Sequence, residues 1–341
     1  MKKFLIFVLT VIMGLTTFSF VACNDNSKQD SSVSLSLYAP DGAPALSVAR
    51  LLNDKEIIKE ISVNIVSANT IASFVTGEDL KADVCILPVN LASKMLGNAQ
   101  NYQMLGVVTN GNLFLMRKGQ GEMITNQNLT SLIGKKVGVI NLSNVPGLTF
   151  KAILKQNQIP FNTVTDEGIA VNDKVNLVGL SDGTAVVPSS DCDFFVVPEP
   201  AATTKQNATQ NKLTICGSLQ QMYGEGNGYP QAVIVAKKSV INNNKTQIQK
   251  LVNSFNENVS WLKNSQTSME MVVNAVMSGF VDKEMAPTFT AKNLNSTIIE
   301  NCGIAFTKAN DIKQSVLAYL QSINEVSNNA FSTPVDEFFY K

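Results

Sequence analysis

The residues best suited to chemistry in this chain sit in four turns, and the chemistry they suit is the holding of a small solute. The turns are APDGAP (residues 39–44), PVN (88–90), NLSNVPG (141–147) and PEP (198–200). Asp41 and Gly42 favour a tight turn, and Pro44 fits the first position of a helix, where its missing N–H costs nothing. Asn90, Ser143 and Asn144 carry short polar side chains that either cap the following helix or reach a molecule docked on its end. Glu199 has the same two readings: a carboxylate complementing a helix dipole, or a ligand contact. Gly42 and Gly147 serve either the turn alone or the close approach of a solute.

Covalent catalysis has little to work with. No histidine occurs among the 341 residues, which removes imidazole metal sites and every Ser-His or Cys-His nucleophilic scheme together. Beyond Cys23 the cysteines are Cys85, Cys192, Cys216 and Cys302, with no CxxC pair and no short spacing, so no metal centre is expected. Cys85 and Cys192 lie in apolar runs, where a small buried thiol is the ordinary role. Cys192 and Cys216 are the pair an oxidising compartment would join first, and Cys85 and Cys302 are expected to be free.

Each turn follows a strand-like run and opens a helix-compatible one. The runs are VSLSLY, ADVCILP, KKVGVIN and CDFFVVP. Uninterrupted apolar stretches such as VCILP and FFVVP suit strands covered on both faces, and their alternation with helices predicts parallel sheets of the α/β class. Solutes bind such sheets outside the carboxyl ends of the strands. Two sheets facing each other would bring all four turns to one cleft. The last third differs: Ile248, Leu251, Val252, Phe255, Val259 and Leu262 recur at helical spacing, as do Ile312, Val316, Leu320 and Ile323. These predict amphipathic helices lying on a core.

Residues 1–22 carry two lysines, an apolar run and small residues before Cys23, the layout of a secretory signal. The run is short for a bilayer span. Residues 23–32 read as a polar tether. Removing 1–22 takes away Lys2 and Lys3 and no acid, so the balance of 27 basic and 27 acidic side chains turns slightly negative, and nucleic acid is not an expected partner. A hydrophobic fraction of 45 % is enough to fill the cores of two ordinary domains.

With signal, tether and turns in view, the chain resembles the extracytoplasmic substrate-binding lipoproteins of ABC importers, in particular the type II periplasmic-binding-protein fold of the nitrate, taurine and thiamine-precursor group. The likeness is carried by PDGAPAL, ADVCILPVNLA, YQMLGVVTNGNLFLMRKG, GKKVGVINLSNVPG, DFFVVPEPAAT and YPQAVIVAKKSV, spread over nearly the whole chain after the tether. It implies two lobes joined by two crossing strands near LFLMRKG and QAVIVAK, one lobe from residues 33–113 plus 232–341 and the other from 114–231, closing as hinged bodies around a solute. It implies ligand contacts at Asp41, Gly42, Ala43 and Pro44, at Pro88, Val89 and Asn90, at Asn110, Gly111 and Asn112, at Ser143, Asn144, Val145, Pro146 and Gly147, at Glu199 and Pro200, and at Tyr229. FSFVAC resembles a lipobox, which makes Cys23 the lipidated first residue of a membrane-anchored protein. The implied partners of this monomer are a small-molecule ligand and an ABC permease with its ATPase, and no cofactor is implied.

The solute stays open among a heterocycle, an amino acid and a sulfonate. Helix N-termini favour an anion, yet Asp41 and Glu199 stand at two of them, and Arg50 and Arg117, the two arginines, fall in none of the turns. A neutral or partly cationic heterocycle, held by Asn side chains and stacked on Tyr38 or Tyr229, fits these residues better. Two other readings remain beside capture. One is an enzyme on the same fold, as in menaquinone or pyrimidine biosynthesis, and the other is a surface lipoprotein binding a macromolecule through an exposed apolar patch.

Overall fold

Short apolar runs bounded by turn residues become the inner strands of two six-stranded sheets. The computed structural model describes residues 34–96, 101–164, 170–224, 226–328, 330, 332 and 334–341. The signal of 1–22, the tether of 23–32 and Cys23 lie outside the described residues.

The strands are β1 (Leu35–Pro40), β2 (Ile61–Val66), β3 (Val84–Pro88), β4 (Tyr102–Thr109), β5 (Leu113–Lys118), β6 (Lys136–Ile140), β7 (Phe161–Val164), β8 (Val175–Leu180), β9 (Phe194–Pro198), β10 (Leu213–Ser218), β11 (Ala232–Lys237) and β12 (Ile304–Lys308). The first sheet has the order β12-β4-β11-β3-β1-β2 and the second β10-β5-β9-β6-β8-β7. β1 is parallel to β2 and β3, and β6 to β8 and β9, as βα units require. β11 and β5, the strands on which the chain arrives from the other sheet, run antiparallel to their neighbours. The chain passes between sheets at residues 110–112 and again at 223–231. LFLMRKG thus lies within the second sheet and QAVIVAK within the first, each just after a passage.

The helices are α1 (Ala43–Leu46), α2 (Ala49–Asn53), α3 (Val89–Leu96), α4 (Val145–Gln156), α5 (Ala201–Ala208), α6 (Leu219–Met222), α7 (Lys238–Asn243), α8 (Lys245–Leu262), α9 (Met269–Ser278), α10 (Ser296–Asn301) and α11 (Ala309–Asn324). α8 and α11 bury the stripes read from their spacing, with Ile248, Leu251, Phe255 and Leu262 on one and Val316, Leu320 and Ile323 on the other.

Successive strand residues face opposite sides of a sheet. Val84 and Ile86 of β3 therefore join the core beneath α8 and α9, while Cys85 and Leu87 join a second core. That second core is continuous between lobes: it holds Leu87 and Val233 of the first sheet, Val139 and Val196 of the second, and Tyr229 and Tyr319. α11 packs on β4 and α3 of one lobe and on α4 of the other. At its centre Tyr319 stacks on Tyr229, ring centroids 5.3 Å apart, and its hydroxyl is 2.6 Å from Thr149 Oγ1 of α4. Apolar burial is worth about 25 cal/mol per Å2, so the lobes share part of their stabilisation. Cys85, Cys192, Cys216 and Cys302 are all buried free thiols, and the Cys192–Cys216 bond open to an oxidising compartment is not formed.

Candidate functional site

Parallel pairing settles which turns are neighbours. β1 and β3 pair Leu37 with Val84, which sets Asp41 level with Pro88. β6 and β9 pair Val139 with Val196, which sets Leu142 level with Glu199. Two turns therefore share the edge of each sheet. The edges meet through hydrogen bonds: the Val89 N–H donates to the Gln231 carbonyl (3.0 Å), Gln231 Nε2 donates to Asn112 Oδ1 (2.8 Å), and the Glu199 N–H donates to the Asn112 carbonyl (2.9 Å). Asn112, buried at the end of the first passage, is the joint on which both edges converge.

Both turn carboxylates are occupied from within. Asp41 accepts the Gly42 N–H on Oδ1 (2.8 Å) and the Thr288 N–H on Oδ2 (2.8 Å). Glu199 is 3 % exposed and accepts the Thr203 N–H (3.1 Å), the Thr203 hydroxyl (2.6 Å) and Asn301 Nδ2 (3.0 Å). Of the two readings open to these residues, the internal one accounts for every oxygen: Asp41 closes a turn, and Glu199 satisfies the first turn of α5 and reaches across to the other lobe.

The remaining candidates divide by exposure. Ser143 and Asn144 are exposed ahead of α4, and Asn144, its N-cap residue, makes no side-chain cap bond, so the first N–H groups of that helix are open. Val145 is buried and Pro146 half-buried. A Cβ on Gly147 would fall 1.9 Å from the Leu142 carbonyl oxygen, so this glycine is required by packing. Ala43, Val89 and Pro200 are buried as well, while Gly42, Pro44, Pro88 and Asn110 are half-buried. Asn90 is 6 % exposed, and its Oδ1 has no hydrogen-bond partner.

Neither aromatic offered for stacking is free. Tyr38 stacks on Phe74 with centroids 4.3 Å apart. Tyr229 is 1 % exposed and lies between Tyr319 and Gly111, whose φ of 88° and missing Cβ let the ring approach. Burial, then the neighbouring Tyr319, pushes the Tyr229 phenol well above its ordinary ionisation range. The ring belongs to the core that joins the lobes.

A cavity of about 320 Å3 opens beside the joint. Of the residues named from sequence it includes Asn110 and Gly111. The polar part of the remaining wall was not anticipated, above all Gln220, Gln221 and Asn227 from the second lobe and passage, and Glu300 and Asn301 from the first lobe. The glycine-rich GEGNGYPQ ahead of β11 was a usable signal for Asn227, and nothing local marks Asn301. The amides of this wall offer hydrogen-bond donors and acceptors. Burial and then the Glu199 charge push the adjacent Cys302 thiol far up, which keeps it from acting as a thiolate. Among the described residues no group of three or more His, Cys, Asp or Glu side chains is placed to hold a metal, and no helix is long and apolar enough to cross a membrane.

No protein-family model matches this chain, and no curated protein does. Solved structures match its fold. An ABC transporter structure from Parabacteroides distasonis aligns with a TM-score of 0.69 at 14 % identity, over 91 % of this chain and 99 % of its own. The periplasmic aliphatic sulphonate binding protein SsuA from Escherichia coli aligns with a TM-score of 0.63 at 11 % identity, over 91 % and 92 %. A ligand-binding component of an ABC-type import system from Staphylococcus aureus, solved with zinc bound, gives 0.55 at 11 %, over 90 % and 96 %. At these identities the likeness is one of fold. The chain has the two-lobed α/β fold of the periplasmic substrate-binding proteins of ABC importers.

Proposed function

We propose that this chain is the extracytoplasmic substrate-binding component of an ABC importer, capturing a small-molecule nutrient between its lobes and presenting it to a permease and its ATPase. The observation that carries the reading is the convergence of two sheet edges on Asn112 and Gln231, with an amide-lined cavity beside them. The lobes are residues 33–113 plus 232–341 and residues 114–231. Closure about the two passages encloses the solute, with Asn110, Gly111 and Asn112 at the floor and Ser143 and Asn144 at the mouth. Cys23, lipidated, holds the protein at the membrane surface and the polar tether gives it reach. No chemistry is assigned to the site, in keeping with the absence of histidine and the protonated buried thiol.

The test is recovery of the solute. The chain from residue 24 onward is incubated with a small-molecule extract, washed and unfolded, and what it releases is identified by mass spectrometry. One solute recovered unchanged is expected, and at 100 times its dissociation constant it should stabilise the fold by about 2.7 kcal/mol. A solute recovered chemically altered would favour an enzyme, and no solute at all would remove the capture reading.

A further inference from the structure

We infer that the captured solute is a hydrogen-bond donor, an uncharged or cationic molecule with two or more N–H groups, and not an anion. The inference rests on capture between the lobes. Two amide oxygens at the joint, Asn90 Oδ1 and Gln231 Oε1, are shut off from solvent and have no hydrogen-bond partner in the protein. The orientation of the Gln231 amide is set by its neighbours. Its Nε2 donates to Asn112 Oδ1, and the Asn112 Nδ2 is turned to the Glu199 carbonyl, so the Gln231 oxygen is the atom left over. The bond from the Val89 N–H to the Gln231 carbonyl ties the start of α3, where Asn90 stands, to the backbone of Gln231.

Buried acceptors without donors are destabilising, and folded proteins keep few of them. An N–H delivered to each oxygen removes that penalty, whereas an anion brings further acceptors. The charges agree. Among the described residues Glu300 is the one charged side chain lining the neighbouring cavity, and no lysine or arginine of theirs stands in its wall. Arg50 is paired with Glu257, and Arg117 lies toward the far end of β5, over the ring of Phe194. Because both amide oxygens are out of reach as the lobes stand, the donor enters while the lobes are parted and is shut in as they close.

The chain from residue 24 onward is titrated by calorimetry with cytosine, adenine and agmatine as donors, and with methanesulfonate, sulfate and phosphate as anions. At least one donor is expected to bind one to one, and Asn90→Leu and Gln231→Met should each weaken it ten-fold or more. Independently of any ligand, Asn90→Leu removes an unsatisfied acceptor and should leave the melting temperature of the empty protein unchanged or raised. An anion that binds more tightly than all three donors overturns the inference and leaves capture standing. A fall of several degrees in empty Asn90→Leu overturns it too, since it would mean that this side chain is satisfied within the fold. If none of the six binds, the inference falls, while recovery of a solute from extract decides capture separately.

Discussion

Asn301, at the end of α10, donates through Nδ2 to Oε1 of Glu199 at 3.0 Å and so ties one lobe to the other. The segment that ends at Asn301 also supplies the Thr288 N–H to Asp41, at 2.8 Å. Residues 281–303 thus donate one hydrogen bond to each carboxylate of the four turns. A region with no recognisable motif supplies the long-range partner of each turn carboxylate.

Removing the Glu199 carboxylate strands three donors, Asn301 Nδ2 and the N–H and hydroxyl of Thr203. Glu199→Ala is expected to cost about 1–3 kcal/mol, the range for leaving buried partners unsatisfied, and Asn301→Ala about 1 kcal/mol. Both should raise the radius of gyration of the empty protein in X-ray scattering, because a lobe-to-lobe bond is gone. Wild-type urea midpoints and scattering in both variants would show the bridge to be idle.

Gly147→Ala places a methyl group where the Leu142 carbonyl oxygen already sits. A clash with backbone is relieved only by moving α4, so a loss of about 1–3 kcal/mol is expected from overpacking. Denaturant melts measure it, and a variant as stable as the parent contradicts the packing described.

Tyr319 joins the lobes by its ring and by its hydroxyl. Tyr319→Phe deletes only the bond to Thr149, and Thr149 keeps its bond to the Val145 carbonyl at 2.7 Å, so about 0.5–1.5 kcal/mol is expected. Tyr319→Ala also empties the space against Tyr229 and should cost about 3–5 kcal/mol, by analogy with other large aromatic deletions. Equal losses in the two variants would mean that the ring contributes nothing.

At the opposite end of the first sheet, Asp83 accepts the Ser36 N–H (3.0 Å), the Ser36 hydroxyl (3.1 Å) and Lys237 Nζ (3.0 Å). Burial works to raise its ionisation, but these bonds outweigh it and hold the carboxyl below its ordinary 3.8. A value depressed by folding means that the stabilisation is complete above the unfolded value and is lost as pH falls through the folded one. Urea stability should therefore drop between about pH 5 and pH 3, and Asp83→Asn should be weaker at pH 5 with a shallower drop. An unchanged acid limb in that variant would assign the drop elsewhere.

Burial pushes the Cys216 thiol up to about 12 and those of Cys85 and Cys302 higher still. In the chain without residues 1–23, all four thiols should label slowly in the native state and completely in denaturant. Fast native labelling, or a Cys192–Cys216 disulfide in peptide mapping, would contradict this arrangement.

The strand-turn-helix units could be read along the chain because each is local: the apolar run, the turn residues and the helical stripe lie within a few tens of residues. The same locality made the stripes of α8 and α11 legible, and the absence of histidine needs no fold to take effect. What the turns do was not legible. The distant partners of Asp41 and Glu199, Thr288 and Asn301, lie 247 and 102 residues away, and the Asn112 partner of Gln231 lies 119 away. Tyr229 has a ring equally suited to a solute or to Tyr319, and only the placement of α11 decides between them. The amino-acid sequence by itself determined the α/β units, the polar turns at their ends and the absence of any histidine-based chemistry. Tertiary structure decided which polar atoms at those turns stay unpaired, because a hydrogen bond depends on which groups are brought within 3 Å and not on their separation along the chain.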